Sequence, residues 1–215
     1  ILELSENIEE DVDYLSHSYL VNGLLDAERN GGGSDGISAE AWKEQIAGNL
    51  ETLIGVKTAY RKIRFVDENG QEIIRVQREA LDSEEIERVS ESELGNIRDQ
   101  AYVAKGLTLE DGELHVSPIE LRAENGELLQ ELGGINHYVE AVFDSVGQRR
   151  GMIVISVFAT EMFEVVEEIE EDEVDEGEEE ELYVINADGY YLNHEDEEKL
   201  WGFQLGTEES LQSDY

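Results

Sequence analysis

Tyr60-Arg-Lys-Ile-Arg-Phe-Val-Asp67-Glu-Asn-Gly70-Gln-Glu-Ile-Ile-Arg75-Val-Gln-Arg78 places a strand, a four-residue turn and a second strand in one block. Its turn begins with an Asx residue and carries a glycine where the backbone needs a positive φ. The same pattern returns about 120 residues later in Ile185-Asn186-Ala187-Asp188-Gly189. Two hairpins of one design predict two related modules in tandem.

The 215-residue chain is long enough for one large or two small hydrophobic cores. It holds 54 acidic and 15 basic residues, a net charge of −39. Such a surface repels nucleic acid, which is therefore excluded as a partner. Strong acidity with few lysines is typical of proteins that work in high salt, where the screening length falls to about 3 Å. We therefore expect a halophilic source.

The chain contains no cysteine, which excludes disulfides, thiolate catalysis and cysteine-ligated metals. No apolar run approaches the roughly 20 residues that cross a bilayer, and no signal peptide is visible. Because the sequence begins at Ile1 without a methionine, we expect a part of a longer protein that flanking segments anchor in a membrane.

The N-terminal third is predicted to be helical. In residues 1–28 apolar side chains recur every three or four positions, opposite an acidic face, which predicts one amphipathic helix. A glycine-rich loop at 30–36 follows. Ser38-Ala-Glu-Ala41 then has the character of a capping box that opens a second helix, ending near Leu53.

Strand periodicity begins at Lys57 and continues, with an interposed acidic helical stretch from Ser83 to about Ala104, through five predicted antiparallel strands. A short hairpin is expected through Asp111-Gly112, and a later strand pair flanks the turn at 144–151. This arrangement predicts a PAS-like α/β module. Its later strands are 114–116, 138–143 and 152–158.

Residues 160–176 have helical character, and 167–181 hold twelve acidic residues in fifteen positions. We interpret the acidic run as a solvated linker; a calcium loop is the alternative, but the spacing of acids and glycine does not fit one. The predicted class is α+β: an N-terminal helix followed by tandem PAS-like modules, the second smaller or incomplete. The predicted division is 1–53 for the stalk and second helix, 54–162 for the ligand-binding module, 163–181 for the linker and 182–215 for the partial second module.

Catalytic motifs are absent from the sequence. The four histidines form no H-x-x-x-H or H-E-x-x-H pair, so a zinc site would have to combine distant positions, and structural or surface roles are favoured. No G-x-S-x-G elbow or phosphate loop occurs. Carboxylates are so numerous that a glycosidase-type pair cannot be singled out. We predict no catalytic residue, metal or cofactor.

Several polar side chains lie where the predicted helix and strands end, and these are the candidate ligand-binding residues. Arg98 can act as a carboxylate clamp through its planar guanidinium, although pairing with a surface acid is the alternative. The set is Arg98, Gln100, Tyr102, His115, Ser117, Tyr138 and Ser156.

Five blocks of the sequence, in order between about residues 50 and 205, resemble one known family. The opening hairpin at 60–76 is similar to that of the membrane-distal module in double Cache (tandem PAS-like) extracytoplasmic sensor domains of bacterial and archaeal histidine kinases. The other blocks are Leu94-x-Asn96 leading to Tyr102, Gly112 to Leu121, Val142-Phe-Asp144-x-x-Gly147-x-x-x-Gly151, and Asp188-Gly-Tyr-Tyr-Leu192 with Trp201-Gly-Phe203.

The resemblance implies a membrane-anchored receptor with a long N-terminal helix, a distal module that binds small carboxylates, amino acids or other metabolites, and a smaller proximal module. It also implies a homodimer formed through the N-terminal helix. Three positions depart from the family pattern. Gln100 stands where an arginine is common, Val103 replaces an aromatic residue, and Ser156 replaces the aspartate that holds a ligand ammonium. An amine ligand is therefore disfavoured, and Arg98 is the candidate to hold a carboxylate.

The leading hypothesis is an extracytoplasmic small-molecule sensor domain of a histidine kinase, without catalysis of its own. A chemotaxis transducer or a diguanylate cyclase is an alternative owner of the same domain. From other classes, the chain could be a secreted halophilic hydrolase with a carboxylate pair, or a cation-binding surface protein built on the acidic run at 167–181.

Overall fold

The computed structural model describes residues 2–31, 36–124, 127–163 and 182–214. These residues form two compact units. The larger comprises the described residues within Ser5–Ser117 and His137–Val157, and the smaller comprises those within Ile1–Leu4, Pro118–Asn136 and Phe158–Tyr215. Compactness alone does not define an independently folding domain, so the linear division of the chain stays a prediction.

The N-terminal helix is present but is divided into α1 (Leu2–Ser16) and α2 (Tyr19–Asn30), so the prediction of one helix over 1–28 is wrong. Ser18 has an extended backbone, and its hydroxyl accepts a hydrogen bond from Val21 N, which caps α2. The helical phase restarts there. Tyr19, which the spacing placed on the apolar face, is consequently 69% exposed.

Helix α3 (Ala39–Val56) confirms the second predicted helix and extends three residues beyond Leu53. Ser38 is its N-cap and accepts a hydrogen bond from Ala41 N. Only half of the predicted capping box forms, because Ala41 has no polar side chain to bond back. The helix buries the predicted apolar face of Trp42, Ile46 and Leu50.

The strands are antiparallel and confirm the α+β class. The main sheet has the order β3-β2-β1-β7-β6-β4, with β5 also paired to β6. A separate two-stranded sheet joins β8 and β9. Their bounds are β1 (Tyr60–Asp67), β2 (Glu72–Gln77), β3 (Glu87–Arg88), β4 (Leu114–Val116), β5 (Glu120–Glu124), β6 (Glu127–Phe143), β7 (Arg149–Phe158), β8 (Val184–Ile185) and β9 (Tyr191–Asn193).

The two hairpin turns of one design are confirmed. Asp67 Oδ1 accepts hydrogen bonds from Asn69 N and Gln71 N, and Gly70 has φ +83°. In the second turn, Asn186 Oδ1 accepts from residues 188 and 190, and the glycine at 189 has φ +85°. The β6–β7 turn repeats the arrangement with an aspartate at 144 and a glycine at 147. A side-chain acceptor and a left-handed glycine therefore close all three.

The prediction of a helix over 83–104 is wrong. The segment instead contains β3, a short 3-10 turn (Glu91–Glu93) and α4 (Ala101–Gly106). Its dense glutamates repel one another at helical spacing. Its backbone groups bond to the edge of β2: Val89 N donates to Arg75 O. The predicted short hairpin through Asp111-Gly112 is also wrong, because β4 pairs with β6.

Side chains alternate between the two faces of the main sheet. On one face, Val139 and Val154 join a buried cluster with Val103 of α4. On the other face, Tyr138 and Tyr60 bond to residues of α1: the Tyr138 hydroxyl lies 3.1 Å from Ser5 Oγ and the Tyr60 hydroxyl 2.5 Å from Asp11 Oδ2. Within the larger unit, α1 and α4 therefore cover opposite faces.

The smaller unit contains the β8–β9 hairpin and two short helices, α5 (Gly202–Leu205) and α6 (Leu211–Asp214). Gln204 of α5 exchanges hydrogen bonds with the backbone of Leu121 in β5, and Trp201 is buried. Residues 160–163 are helical; the rest of the predicted 160–176 helix and the acidic run at 167–181 lie outside the described residues. No helix among the described residues is long and apolar enough to span a membrane.

A substitution at Gly151 tests the close pairing of β7 with β1. A Cβ at this position would collide with the carbonyl oxygen of Val66, and its φ is +153°. We expect Gly151→Ala to lower the free energy of unfolding by about 1–3 kcal/mol, measured by chemical denaturation. Gly95→Ala is the control, because no atom lies within 4 Å of its added Cβ. Equal effects of the two substitutions would contradict the pairing.

Candidate ligand site on the polar face of the sheet

Charged and polar side chains of four strands meet on the sheet face that α4 covers. Arg64 of β1 lies on this face because it is two positions from Val66, which packs with Val103. Arg64 donates hydrogen bonds to Glu72 of β2 and to Ser156 of β7. Ser156 is in turn hydrogen-bonded to His137 of β6. We call Arg64, Glu72, His137 and Ser156 the polar cluster.

A buried carboxylate holds two arginines at one end of the polar cluster. Glu72 Oε1 accepts from Arg64 Nε and Glu72 Oε2 accepts from Arg75 Nη1, both at 2.8 Å. Glu72 also accepts from Gly95 N at 3.1 Å. The Glu72 side chain is fully buried, while that of Arg64 is 10% exposed. The desolvated carboxylate is therefore compensated by several charge-assisted bonds.

His137 occupies the other end. Its Nδ1 lies 2.8 Å from Ser156 Oγ, and Arg64 Nη1 donates to the same oxygen at 3.1 Å. A guanidinium can only donate, so Arg64 occupies one lone pair of the Ser156 hydroxyl, and the imidazole tautomer sets which of Ser156 Oγ and His137 Nδ1 donates to the other. The Tyr102 ring stacks on the imidazole with centroids 3.8 Å apart, and Ser117 Oγ accepts from His137 N.

Electrostatics keep this histidine neutral. Burial, together with the positive charges of Arg64, Arg61 and Lys62, lowers the pKa of His137 to about 3. The cluster thus presents a neutral imidazole beside a guanidinium, in a basic part of an otherwise acidic chain.

The structure brings together four of the seven predicted site residues. Tyr102, Ser117 and Ser156 surround His137, and His115 lies on the same face because it pairs with Val139. Burial, with the charge of Lys105, lowers the pKa of His115.

The other three predicted residues lie elsewhere. Tyr138 faces α1 on the opposite side of the sheet, and Gln100 is exposed at the N-cap of α4. Arg98 is exposed near the β1–β2 turn, where Nη1 donates to Glu68 O at 3.4 Å. The guanidinium beside Ser156 is that of Arg64, not that of Arg98.

Arg64, Glu72 and His137 were missed by the sequence reasoning. The sequence did contain a signal for Arg64. The two-residue period of β1 places Lys62 and Arg64 on the same face of the strand as the apolar Val66, so basic side chains lie on a face that is otherwise apolar. No comparable signal marks His137, because its partners come from other strands and from α4.

A sequence model of the family described as "Bacterial histidine kinase, sensor domain" matches residues 37–213. The chain belongs to this family. The match confirms the resemblance seen in the sequence and the leading prediction, a sensor domain of a histidine kinase. A search of curated proteins found no match.

Solved structures share the fold. A domain of a sensory box/GGDEF family protein from Vibrio parahaemolyticus has a TM-score of 0.72 at 19% identity, with 94% of this chain and 69% of that chain covered. The extracellular domain of the histidine kinase vpHK1S-Z8 has a TM-score of 0.70 at 19% identity, covering 94% and 65%. The sensory domain of the Campylobacter jejuni chemoreceptor Tlp3, with isoleucine bound, has a TM-score of 0.51 at 12% identity, covering 93% and 76%.

The sensor domain spans about two thirds of the length of the first two structures. At these identities they show the fold alone. The comparisons do not bear on the salt adaptation inferred from composition, which stays a prediction.

A substitution at Glu72 tests whether the polar cluster needs its buried negative charge. Glu72→Gln leaves Arg64 and Arg75 without their common counter-ion, so we expect the free energy of unfolding to fall by about 3 kcal/mol in denaturant titrations. Glu68→Gln, on the exposed turn, is the control and should stay within about 0.5 kcal/mol of wild type. A tolerated Glu72→Gln would show that the buried pair is not needed.

His137 makes stability depend on pH in a defined window. Its folded pKa of about 3 lies below the ordinary value of 6.5, so its stabilising contribution is present above pH 6.5 and is lost as the pH falls toward 3. Between pH 7 and pH 5 we expect wild type to lose about 2 kcal/mol more than His137→Gln. Parallel stability profiles for the two proteins would contradict a buried neutral histidine.

Proposed function

We propose that the chain is the extracytoplasmic sensor domain of a membrane-anchored histidine kinase, and that it binds a small carboxylate ligand at the polar cluster without catalysis of its own. The observation that carries the proposal is the pairing of Arg64 with neutral His137 through Ser156. The family supports the sensor role, and the similarity to the extracellular domain of the histidine kinase vpHK1S-Z8 supports the placement.

Charge favours an anionic ligand. Five of the fifteen basic residues fall within residues 60–78, although the chain as a whole carries −39. Arg64 uses Nε and Nη1 in its bonds among the described residues, which leaves Nη2 for a ligand. The Nη1 and Nη2 edge of a guanidinium matches the two oxygens of a carboxylate.

Other side chains of the polar cluster can also contact a carboxylate ligand. In the tautomer protonated at Nε2, neutral His137 accepts from Ser156 through Nδ1 and can donate to a ligand oxygen through Nε2. The Tyr102 ring stacks on this imidazole and adds an aromatic surface to the cluster. The carboxylate in the cluster, Glu72, is bound by two arginines, so a ligand ammonium would find no acceptor there. This supports a ligand without an amine, as Ser156 indicated.

Signalling follows from differential affinity. A ligand that binds one arrangement of the domain more tightly shifts the population toward it. We infer that α1, which bonds to the opposite sheet face, carries this shift to a second copy of the chain through a helical dimer contact. We propose a histidine kinase as the output domain of the whole protein. A chemotaxis transducer or diguanylate cyclase would use the same sensor.

A ligand screen tests the site. Small carboxylates and amino acids are added to the purified domain in dilute and molar salt, and unfolding is followed by thermal shift and calorimetry. A ligand at 100 times its Kd should stabilise the fold by about 2.7 kcal/mol. We expect carboxylates without an amine to bind, and Arg64→Lys and Ser156→Ala to weaken them by about tenfold or more.

The matched control is Arg98→Lys, which alters the predicted clamp outside the polar cluster and should bind like wild type. Loss of binding in Arg98→Lys with retention in Arg64→Lys would move the site to the β1–β2 turn. A screen in which no carboxylate stabilises wild type would overturn the proposal.

A further inference from the structure

A second cluster lies on the α1-covered face of the sheet. Asp13 lies in the last turn of α1 and His17 directly follows that helix, Glu140 comes from β6, and Asp111 lies in the loop between α4 and β4. Asp13, His17 and Glu140 each offer a ligand atom, and these atoms lie within 4.8 Å of one another. All four residues belong to the larger unit.

The distances from His17 Nδ1 to the two carboxylates are close to those between neighbouring ligands of a metal ion. His17 Nδ1 lies 3.3 Å from Asp13 Oδ1 and 3.4 Å from Glu140 Oε1. In a tetrahedral site with metal–ligand bonds of about 2.1 Å, neighbouring donors lie about 3.4 Å apart. The ligand atoms of Asp13 and Glu140 lie within 4.8 Å of each other, so a metal ion that replaced the Nδ1 proton would fit both distances from His17 and draw the two carboxylates together.

The surroundings also favour a cation. Glu140 is 3% exposed; Ser16 Oγ donates a hydrogen bond to its Oε1 at 2.8 Å, and among the described residues its one ion-pair partner is His17. A buried carboxylate without a lysine or arginine partner is costly unless a positive charge meets it. The carbonyl groups at the end of α1, including Asp13 O at 3.0 Å from His17 Nδ1, add the negative end of the helix dipole.

The second ring nitrogen has its own carboxylate. His17 Nε2 lies 3.6 Å from Asp111 Oδ1. Metal-binding histidines usually direct the ring nitrogen that does not bind the metal at such a group, which orients the ring and raises its basicity. Asp13 and His17 are exposed, so an ion can reach the cluster from solvent, while Glu140 supplies the buried third ligand.

We propose that Asp13, His17 and Glu140 form a binding site for a first-row divalent transition-metal ion of the zinc type. An imidazole with two carboxylates suits such ions, whereas magnesium and calcium prefer oxygen ligands alone. Bound metal would clamp the end of α1 to β6. The proposal concerns the face opposite the polar cluster and does not depend on the ligand bound there.

Zinc titration tests the site with the whole domain, freed of metal by chelator and held at neutral pH in the presence of excess magnesium. The magnesium occupies weak carboxylate sites on the acidic surface. We expect calorimetry to show one tight zinc ion per chain and thermal shift to show stabilisation by zinc. Cobalt should give the visible spectrum of a low-coordinate nitrogen and oxygen site.

Variants assign the ligands. His17→Gln and Glu140→Gln should each weaken zinc binding by at least about tenfold. His194→Gln, which removes a histidine of the smaller unit, and Glu9→Gln, on the exposed surface of α1, should bind zinc like wild type. Circular dichroism checks that each variant is folded. Because His17 is half-exposed, its substitution should leave the fold intact even if Glu140→Gln does not.

Two results would overturn the proposal. One is zinc binding no tighter in wild type than in His17→Gln, which would show that the acidic surface alone holds the ion. The other is an absence of tight zinc binding together with loss of stability in His17→Gln, which would show that a protonated His17 serves as the counter-ion of Glu140.

Discussion

The two-residue period of β6 is the constraint on which both clusters depend. Adjacent residues of a strand point to opposite faces, so His137 and Tyr138 cannot share a site. His137 faces α4 and joins Arg64, Ser156 and Tyr102. Glu140, three residues later, faces α1 and meets His17. A shift of register by one residue would exchange the two faces and destroy both clusters.

Buried charge is distributed unequally between the two faces. On the α4 face a carboxylate, Glu72, meets two guanidiniums, so the cluster carries excess positive charge. On the α1 face Glu140 and two exposed aspartates surround one histidine, so excess charge there is negative. The proposed anion site and the proposed metal site therefore lie on opposite faces of one sheet.

The scarcity of basic residues makes their placement informative. An exposed arginine on this chain meets many carboxylates, as Arg88 does with Glu44 and Glu51. Such surface pairs contribute little to stability and carry no ligand information. Arg64 differs, because its bonds are buried and directed at Glu72 and Ser156. Burial, which composition cannot show, separates the arginine proposed to bind a ligand from a surface one.

Local features of the sequence determined the two Asx-Gly hairpins, the cap at Ser38 and the α+β class, because turn chemistry and strand alternation act over a few residues. The sensor family was identified by the resemblance of five sequence blocks to known domains. Tertiary structure decided the rest. It divided the first helix at Ser18, replaced the predicted helix before α4 with an edge strand, and moved the candidate clamp from Arg98 to Arg64. It also joined His17 to Glu140 across 123 residues. These outcomes depend on which strands pair and which face a helix covers, and such long-range contacts leave no local pattern in the chain.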